Sequence, residues 1–356
     1  MRVMLLHQPA PIETAPLVLS DVPIPEPGPD EVLIQVHYCG ICRTDLHVIE
    51  GELPTRLMPV VPGHQIVGTI YHCGCDVQNL HPGDPVGMAW LHHTCGNCPF
   101  CLTRRENLCS NAQFTGYSTN GGFAEFVVAS AEFVYPLPQG FDEMHAAPLL
   151  CAGIIGFRCL RVAGLGSAEA ARGRAIGLYG FGAAAHIAIQ VARHWGARVF
   201  VCTRDERHQK LALELGATWA GGAVEPPSEL LDAAIVFAPA GELVPAALAA
   251  VTRGGTVVLG GIHMSDIPSF PYSLLYGERV VRSVMNNTRA DGHDFLRLAA
   301  EIPIHPSVEV FPLADANLAL ARLKNDAIRG AAVLRVKIVK LKFDNMVIPN
   351  NTKVRT

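Results

Sequence analysis

Charge is scarce in this sequence, and no segment is long and apolar enough to be a membrane helix. Charged residues make up 17% of its 356 residues against 49% hydrophobic ones, a balance that excludes a largely disordered chain. The net charge of -4 gives no basic surface of the kind that nucleic acid requires. No apolar run reaches the roughly 18 residues of a membrane-spanning helix. We therefore expect a globular, cytoplasmic protein of two domains that binds neither nucleic acid nor membrane.

Cysteine, by contrast, is abundant. The chain has 11 cysteines, and its first residues, 1–7, have the pattern of a strand and lack a signal-peptide cleavage site. Without a secretory leader, this many cysteines favours metal binding in a reducing compartment over a disulfide framework.

Two kinds of periodicity divide the chain. Before residue 150, short strands such as 32–38 are broken by proline and glycine turns, which predicts a β barrel or sandwich. After residue 153, strands and helices alternate, which predicts an α/β class with a parallel doubly wound sheet. The predicted strands there are 175–179, 198–202, 233–237, 256–259 and 280–284, and the predicted helices are 183–195, 209–215 and 244–251.

The last segment is expected to return to the first domain. It contains predicted helices at 291–300 and 315–324 and a predicted strand at 331–339, whereas 340–356 is unpatterned and expected to be a loosely held tail. We place the domains at 1–152 (catalytic), 153–288 (dinucleotide-binding) and 289–356 (the returning segment and tail).

The strongest motif is a group of four closely spaced cysteines, Cys95, Cys98, Cys101 and Cys109. Four thiolates in so short a segment can enclose one Zn²⁺ without leaving an open position, as in structural zinc sites. The alternative is four buried free thiols. Because a closed site contributes to folding and not to catalysis, we expect a second zinc to perform the chemistry.

A second possible donor set is spread along the first half of the chain. Cys42, His64 and Cys151 offer two thiolates and an imidazole, which leave a zinc ion one open position for an alcohol oxygen. Taken singly, each is more often a packed or solvated residue. Their contexts favour ligation, because His64 follows a turn and Cys151 stands where the dinucleotide domain begins.

Polar residues directly after Cys42 complete the predicted reaction centre. Asp45 is predicted to accept the second ring N–H of His64 and so to fix its tautomer. Thr44 and His47 are placed to carry the alcohol proton away, and general acid–base help of this kind contributes about 10²–10⁴-fold.

A glycine-rich turn predicts the dinucleotide site. Gly180, Gly182 and Ala185 form Gly-x-Gly-x-x-Ala between a predicted strand and a predicted helix. The glycines let the backbone approach a pyrophosphate, and the helix N-terminus favours its negative charge. An ordinary tight turn is the alternative.

The end of the next strand discriminates between NAD and NADP. An acidic residue there binds the ribose 2′-hydroxyl, whereas a small residue with a nearby arginine accommodates a 2′-phosphate. Thr203 occupies that position and Arg204 follows it, which favours NADP(H). Asp205 is the acidic alternative, and would favour NAD(H), if the strand runs two residues longer.

With these motifs the chain resembles the zinc-dependent alcohol dehydrogenases of the medium-chain dehydrogenase/reductase superfamily, near their bacterial and cinnamyl-alcohol-dehydrogenase-like branches. The resemblance extends to about residue 338. It rests, in family order, on Gly-Ile-Cys-Arg-Thr-Asp-Leu-His at 40–47, Pro-Gly-His at 62–64, the four cysteines, Leu-Leu-Cys-Ala-Gly at 149–153 and the glycine-rich turn.

The resemblance implies a GroES-like catalytic domain, a Rossmann domain and an active site in the cleft between them. It implies two zinc ions per chain, on the two donor sets above, and a proton relay through Thr44, the cofactor ribose and His47. Arg43 matches a phosphate contact. Trp90 matches a wall of the substrate pocket, although it could equally be a core residue, and Tyr117 is a weaker pocket candidate. A homodimer or homotetramer built through the Rossmann domain is also implied.

Two positions depart from the family pattern. Gln65 stands where the family usually has glutamate beside the histidine ligand, which removes a negative charge near the zinc. Ile154 and Ile155 replace the usual Val-Thr after the third ligand, which affects the packing of the nicotinamide.

The predicted function is reversible hydride transfer between a primary alcohol or aldehyde and a nicotinamide cofactor. Zinc lowers the pKa of the bound alcohol so that an alkoxide forms near neutral pH, and the hydride passes to the nicotinamide. One alternative is a zinc-free quinone reductase or non-catalytic relative, against which both complete donor sets argue. Another is a zinc-ribbon module for nucleic acid, against which the acidic net charge argues.

Overall fold

An antiparallel sheet organises the first part of the chain. The computed structural model describes residues 1–138, 140–302, 304 and 306–337, so the predicted tail at 340–356 lies outside the described residues. Strand β3 pairs with β4 on one side and with β8 along part of the other. The strands are β1 Arg2–Leu6, β2 Leu17–Asp21, β3 Glu31–Ile41, β4 Gln65–Cys73, β5 Pro85–Met88, β6 Leu91–His93, β7 Gln113–Phe114, β8 Phe126–Ser130 and β9 Val134–Pro136. The helices are α1 Arg43–Ile49, α2 Pro99–Leu102 and α3 Glu143–Ala146.

A parallel six-stranded sheet follows, as predicted. Its strands are β10 Ala175–Tyr179, β11 Arg198–Cys202, β12 Trp219–Gly221, β13 Leu231–Val236, β14 Val251–Leu259 and β15 Val280–Ser283, in the spatial order β12-β11-β10-β13-β14-β15. Its helices are α4 Ala152–Val162, α5 Ala168–Ala171, α6 Ala183–His194, α7 Glu206–Glu214 and α8 Leu243–Ala250.

Both faces of this sheet are covered. Ile176 and Leu178 of β10 join the core that contains α4 and α6, whereas Tyr179 joins the core that contains α8. Because side chains alternate along a strand, helices on both faces bury every residue of β10. The doubly wound α/β prediction is confirmed.

The last strands of the C-terminal segment join the first sheet. After α9 Arg289–Glu301, the chain forms β16 Val308–Pro312, α10 Ala316–Lys324 and β17 Ala331–Arg335. Strand β17 runs antiparallel to β3, with Ala332 opposite Ile41. The segment therefore ends beside the strand that leads to Cys42.

Several predicted boundaries were wrong. Helix α7 begins at Glu206, three residues before the predicted start, because the Asp205 carboxylate caps it by accepting the Arg207 N–H. Val251 was predicted to end a helix but starts β14, where it pairs with Leu231. Strand β17 ends at Arg335, so Val336 and Lys337 are not part of it, and residues 338 and 339 lie outside the described residues.

Several elements were not predicted, among them helix α4 and strand β12. Helix α4 is buried along most of its length, so its sequence is mostly apolar, and its two charged residues, Arg158 and Arg161, are a weak signal of helical period. Strand β12 has only three residues.

Within the described residues no single helix is long and apolar enough to cross a membrane, although Glu143–Leu150 and Ala152–Val162, bent by 44°, satisfy length and composition as a pair.

Candidate active site

Three segment ends bring Cys42, His64 and Cys151 together. Cys42 follows β3 and caps α1, His64 precedes β4, and Cys151 caps α4. Their ligand atoms all lie within 4.8 Å of one another. The Cys42 Sγ lies 3.3 Å from His64 Nε2 and 4.0 Å from Cys151 Sγ. Tetrahedral Zn²⁺, with Zn–S of about 2.3 Å and Zn–N of about 2.0 Å, needs separations of this size, so the donor set fits zinc.

Glycine is required immediately before His64. Gly63 has a φ of 97°, a left-handed conformation that favours glycine. A Cβ there would lie 2.4 Å from the Phe123 ring and 2.9 Å from Cys39 Sγ. Close packing at this turn therefore fixes the backbone from which the imidazole projects.

Asp45 orients the histidine, at the position predicted for it. Its carboxylate is 2% exposed, accepts the His64 Nδ1–H at 3.0 Å and accepts the Cys42 backbone N–H at 2.8 Å. The first bond leaves Nε2 of His64 as the ligand atom facing Cys42. The second forms a capping box at the start of α1, so one carboxylate fixes both the helix start and the imidazole.

The cluster also favours a thiolate at Cys42. A hydrogen bond from the Cys151 thiol holds the pKa of Cys42 well below its ordinary value, and the adjacent His64 lowers it further, although burial opposes this. The same hydrogen bond to Cys42, together with burial, raises the pKa of Cys151. A cation would stabilise both thiolates, since metal ligands must be deprotonated.

The four cysteines of the predicted structural site form a second cluster. Their sulfur atoms lie within 4.8 Å of one another. The Sγ atoms of Cys98 and Cys101 lie 3.5 Å apart, and so do those of Cys109 and Cys95. Four sulfurs around tetrahedral Zn²⁺ stand about 3.8 Å apart, so this set also fits zinc. Backbone N–H groups of Asn97 and Cys98 lower the pKa of Cys95 to about 6.

Aromatic rings line one side of His64. The Trp90 indole meets the His64 ring edge-on at 5.1 Å between centroids. Tyr117 stacks on Trp90 at 5.6 Å and Phe114 at 5.3 Å, and the Tyr117 hydroxyl donates to the Pro54 carbonyl. Both predicted pocket residues thus belong to one aromatic stack beside the zinc donors.

Gln65 is the first residue of β4 and is buried. It is 2% exposed and packs against Gly40, where a Cβ would lie 2.9 Å from its Oε1. Its amide nitrogen has no hydrogen-bond partner among the described residues. The position after His64 is therefore occupied by a neutral side chain with one unused donor.

Thr44 and His47 lie three residues apart on α1 and therefore on the same face of the helix. The Thr44 backbone N–H donates to Cys42 Sγ at 3.4 Å. The His47 Nδ1 is hydrogen-bonded to the Glu52 carboxylate. The ring of His263, in the loop after β14, lies 5.7 Å from that of His47, so the two domains meet here.

Arg43 is the first residue of the same helix. Its guanidinium lies 2.6 Å from the Asp326 carboxylate, in the loop between α10 and β17. Asp326 also acts on the dinucleotide domain. The pKa of Arg207 is raised, chiefly by its hydrogen bonds with Asp205 and also by the charge of Asp326.

The glycine-rich turn has the geometry of a phosphate-binding turn. Gly180 has a φ of 87°, and a Cβ there would lie 2.9 Å from the backbone nitrogen of Ala238. Gly182 caps α6, and a Cβ built on it meets nothing within 4 Å, so space remains over the first amides of the helix. Ala185 is fully buried. The turn therefore fits the pyrophosphate of a dinucleotide.

Thr203 and Asp205, the two residues that could decide between NADP and NAD, have different surroundings after β11. The strand ends at Cys202, and Thr203 follows it as a buried residue. Asp205 is instead the cap of α7, and two hydrogen bonds from the Arg207 guanidinium hold its pKa well below the ordinary value. Arg204 is exposed.

The sequence did not single out Glu52, His263 and Asp326, which contact His47 or Arg43 of α1. Glu52 comes five residues after His47, just beyond the end of α1, so a contact between the two could have been predicted from their closeness in the sequence. His263 and Asp326 join α1 from distant parts of the chain, and no local pattern marks them.

An open Cys₂His donor set, a glycine-rich turn between strand and helix, and a separate group of four thiols are together what a zinc-dependent dehydrogenase requires. Residues 28–139 match the family described as "Alcohol dehydrogenase GroES-like domain", and residues 183–301 match "Zinc-binding dehydrogenase". The chain belongs to the zinc-dependent alcohol dehydrogenases of the medium-chain dehydrogenase/reductase superfamily. It is therefore an oxidoreductase that uses zinc and a nicotinamide cofactor to act on small alcohols or aldehydes.

Individual relatives agree with this assignment. A probable alcohol dehydrogenase of Mycobacterium tuberculosis is 46% identical over 93% of this chain and 96% of its own length. A cinnamyl alcohol dehydrogenase of Sorghum bicolor has a TM-score of 0.86 at 28% identity, over 96% of this chain and 99% of that one. A putative zinc-binding dehydrogenase of Sinorhizobium meliloti, bound to NADP, has a TM-score of 0.79 at 28% identity, over 94% and 98%.

Proposed function

We propose that this dehydrogenase interconverts primary alcohols and aldehydes at a zinc ion held by Cys42, His64 and Cys151. The observation that carries the proposal is the gathering of these three donors within 4.8 Å of one another. Zinc in such a three-ligand site supplies a Lewis acid with one position open to the substrate oxygen. A second zinc, held by the four cysteines, is structural and makes two per chain.

The chain's own residues handle the proton. Asp45 keeps the hydrogen on Nδ1 of His64 and so leaves Nε2 free to ligate. The Thr44 hydroxyl accepts the hydrogen bond of the substrate hydroxyl. His47, three residues further along the same helix face, would receive the proton by way of the cofactor ribose and release it to solvent. Support comes from the Thr44 backbone contact with Cys42 and from the partial exposure of His47.

The cofactor binds along the glycine-rich turn, with its pyrophosphate over Gly180, Gly182 and the first amides of α6, where Ala185 permits close packing of the helix. Once bound, the cofactor would supply the hydride chemistry through its nicotinamide. Arg43 contacts a phosphate once it is released from Asp326.

We favour NADP(H) over NAD(H). No carboxylate stands at Thr203, and the exposed Arg204 is free to meet a 2′-phosphate. The Asp205 carboxylate, which would have to bind a ribose hydroxyl for NAD, is already engaged by Arg207 and by the cap of α7. The NADP bound to the Sinorhizobium relative adds support from a similar chain.

Trp90 and Tyr117 form the wall of the substrate pocket. Trp90 contacts His64 through a T-shaped ring contact, and Tyr117 backs it. A flat aromatic wall next to the reacting carbon suits an unbranched or planar substituent and disfavours a second bulky group. This geometry supports primary over secondary alcohols.

The enzyme assembles through its Rossmann domain as a homodimer, or as a homotetramer made of two such dimers. Strand β15 lies at the edge of the parallel sheet, and Val280, Tyr272 and Tyr276 beside this edge are exposed. An uncovered edge with exposed apolar side chains suits pairing with a second copy about a two-fold axis.

We place the enzyme in the cytoplasm. All 11 cysteines are free thiols, and six of them, together with His64, form the two proposed zinc sites. A reducing compartment preserves such thiolates as ligands.

The test is aldehyde reduction with NADPH and NADH in parallel, with zinc quantified on the same sample. Two zincs per chain and a strong NADPH preference are expected. The variant Arg204→Ala should raise the Michaelis constant for NADPH and leave that for NADH unchanged, so NADH is the internal control. An equal effect on both cofactors, or activity with NADH alone, would contradict the cofactor assignment.

A further inference from the structure

The His47 imidazole has one well-defined partner. Its Nδ1 is hydrogen-bonded to the carboxylate of Glu52, just beyond the end of α1. The Glu52 backbone N–H donates to the His47 carbonyl at 2.9 Å, and Gly51, with a φ of 75°, makes the intervening turn. The His47 side chain is 15% exposed and that of Glu52 is 46% exposed. The pair therefore leads from a half-buried helix face to solvent.

This contact selects one form of the neutral ring. An ionised carboxylate can only accept hydrogen bonds, so Nδ1 must carry the hydrogen and Nε2 is left as the proton acceptor. Among the described residues, Nε2 of His47 has no hydrogen-bond partner. The ring is thus prepared to receive a proton on the nitrogen that Glu52 does not occupy.

We propose that Glu52 is a positioning residue for the dehydrogenase reaction, fixing His47 in the Nδ1–H form. Nε2 gains the proton, and the ring becomes an imidazolium that the Glu52 carboxylate stabilises. One ring proton then passes to a solvent water, which restores the neutral ring, while Glu52 keeps its charge throughout. The inference rests on the relay role proposed above for His47.

The neighbouring charges keep Glu52 ionised. The hydrogen bond from His47 lowers the pKa of Glu52 most, and the charges of His263 and Lys324 lower it further. The charged or titratable groups around the pair are His263 from the loop after β14, and Lys324 from α10 with its partners Glu13 and Glu50, each 2.8 Å away from it.

The first test is spectroscopic and uses the cofactor-free protein. Selective ¹⁵N labelling of histidine gives the tautomer of each of the 15 histidines, and the His47 signals are identified by their absence in His47→Asn. We expect the Nδ1–H form in the wild type and a mixture of forms in Glu52→Gln, because an amide can accept from or donate to Nδ1. The same tautomer in both proteins would overturn the inference.

The second test is kinetic. In Glu52→Gln we expect kcat to fall about tenfold, a part of the 10²–10⁴-fold available to general acid–base catalysis, with KM for the alcohol unchanged. Glu13→Gln is the matched control, because it removes a nearby carboxylate that contacts Lys324 and not His47; its kcat should equal that of the wild type.

The two proposals fail in different ways. If kcat falls in His47→Asn but not in Glu52→Gln, the positioning role is wrong and the relay stands. If neither variant changes kcat, the relay itself is wrong.

Discussion

Asp45→Asn isolates the contribution of one buried carboxylate to metal binding. The two Asp45 oxygens accept two N–H groups, Nδ1–H of His64 at 3.0 Å and the backbone N–H of Cys42 at 2.8 Å. An asparagine offers one acceptor oxygen and one NH₂ group in the same space. One of the two buried N–H donors is therefore left facing another donor, or the His64 ring changes tautomer.

The expected cost follows from that geometry. An unsatisfied buried donor costs about 1–3 kcal/mol, and loss of a partner behind a metal-binding histidine costs about 10–100-fold in metal affinity. Since a factor of 10–100 corresponds to about 1.4–2.7 kcal/mol, the two approaches agree. We expect the affinity of the Cys42, His64 and Cys151 site for zinc to fall about 10–100-fold.

Chelator competition, with released zinc measured by absorbance, gives the affinity of each site. Only one zinc per chain should be affected, because Asp45 contacts none of the four cysteines. Asp142→Asn is the control, since Asp142 caps α3 through the Met144 N–H at 3.0 Å and pairs with His145 instead of a donor residue. Wild-type affinity in Asp45→Asn, or equal weakening of both zincs, would refute the assigned role.

Three further predictions concern other parts of the molecule. Asp326→Asn should tighten NADPH binding about two- to fivefold, because an exposed ion pair with Arg43 is worth about 0.2–1 kcal/mol; an unchanged Kd by fluorescence titration would contradict this competition. Burial lowers the pKa of His92 to about 4, below its value of about 6.5 in the unfolded chain. The free energy of unfolding of the wild type should therefore be unaffected by this histidine above pH 6.5 and should fall by about 3 kcal/mol relative to that of His92→Gln as the pH falls to 4. Denaturant curves of both proteins at pH 7 and pH 4 test this, and an equal loss of stability in the two would contradict it. Cys98→Ser should remove one zinc and lower Tm by more than about 5 °C, as calorimetry with metal analysis can check, and an unaltered Tm would argue against a structural zinc there.

The sequence was informative wherever the chemistry depends on short spacings. The four cysteines span one short lobe, and the glycine-rich turn lies between adjacent elements, so local order alone predicted both. The doubly wound sheet was equally accessible, because β10 and its neighbours are continuous apolar runs between amphipathic helices. Cys42, His64 and Cys151 needed the family motifs, since each comes from a different segment.

Contacts between distant segments were beyond a reading of the sequence. Asp326 meets Arg43 across 283 positions, and His263 reaches His47 from the other domain. No periodicity links such residues, because only the packing of the two domains brings them together. The choice between Thr203 and Asp205 stayed open for a related reason: it depends on where β11 ends and on whether Arg207 engages the carboxylate.

The most direct test of the central claim is the zinc content and turnover of Cys42→Ala beside the wild type. We expect two zincs per chain in the wild type. In the variant we expect one zinc, an unchanged circular dichroism spectrum and no alcohol oxidation, because the donor set of Cys42, His64 and Cys151 is broken while the four-cysteine site persists. A variant that keeps both zincs, or that still turns over substrate, would show that this cluster is not the catalytic metal site.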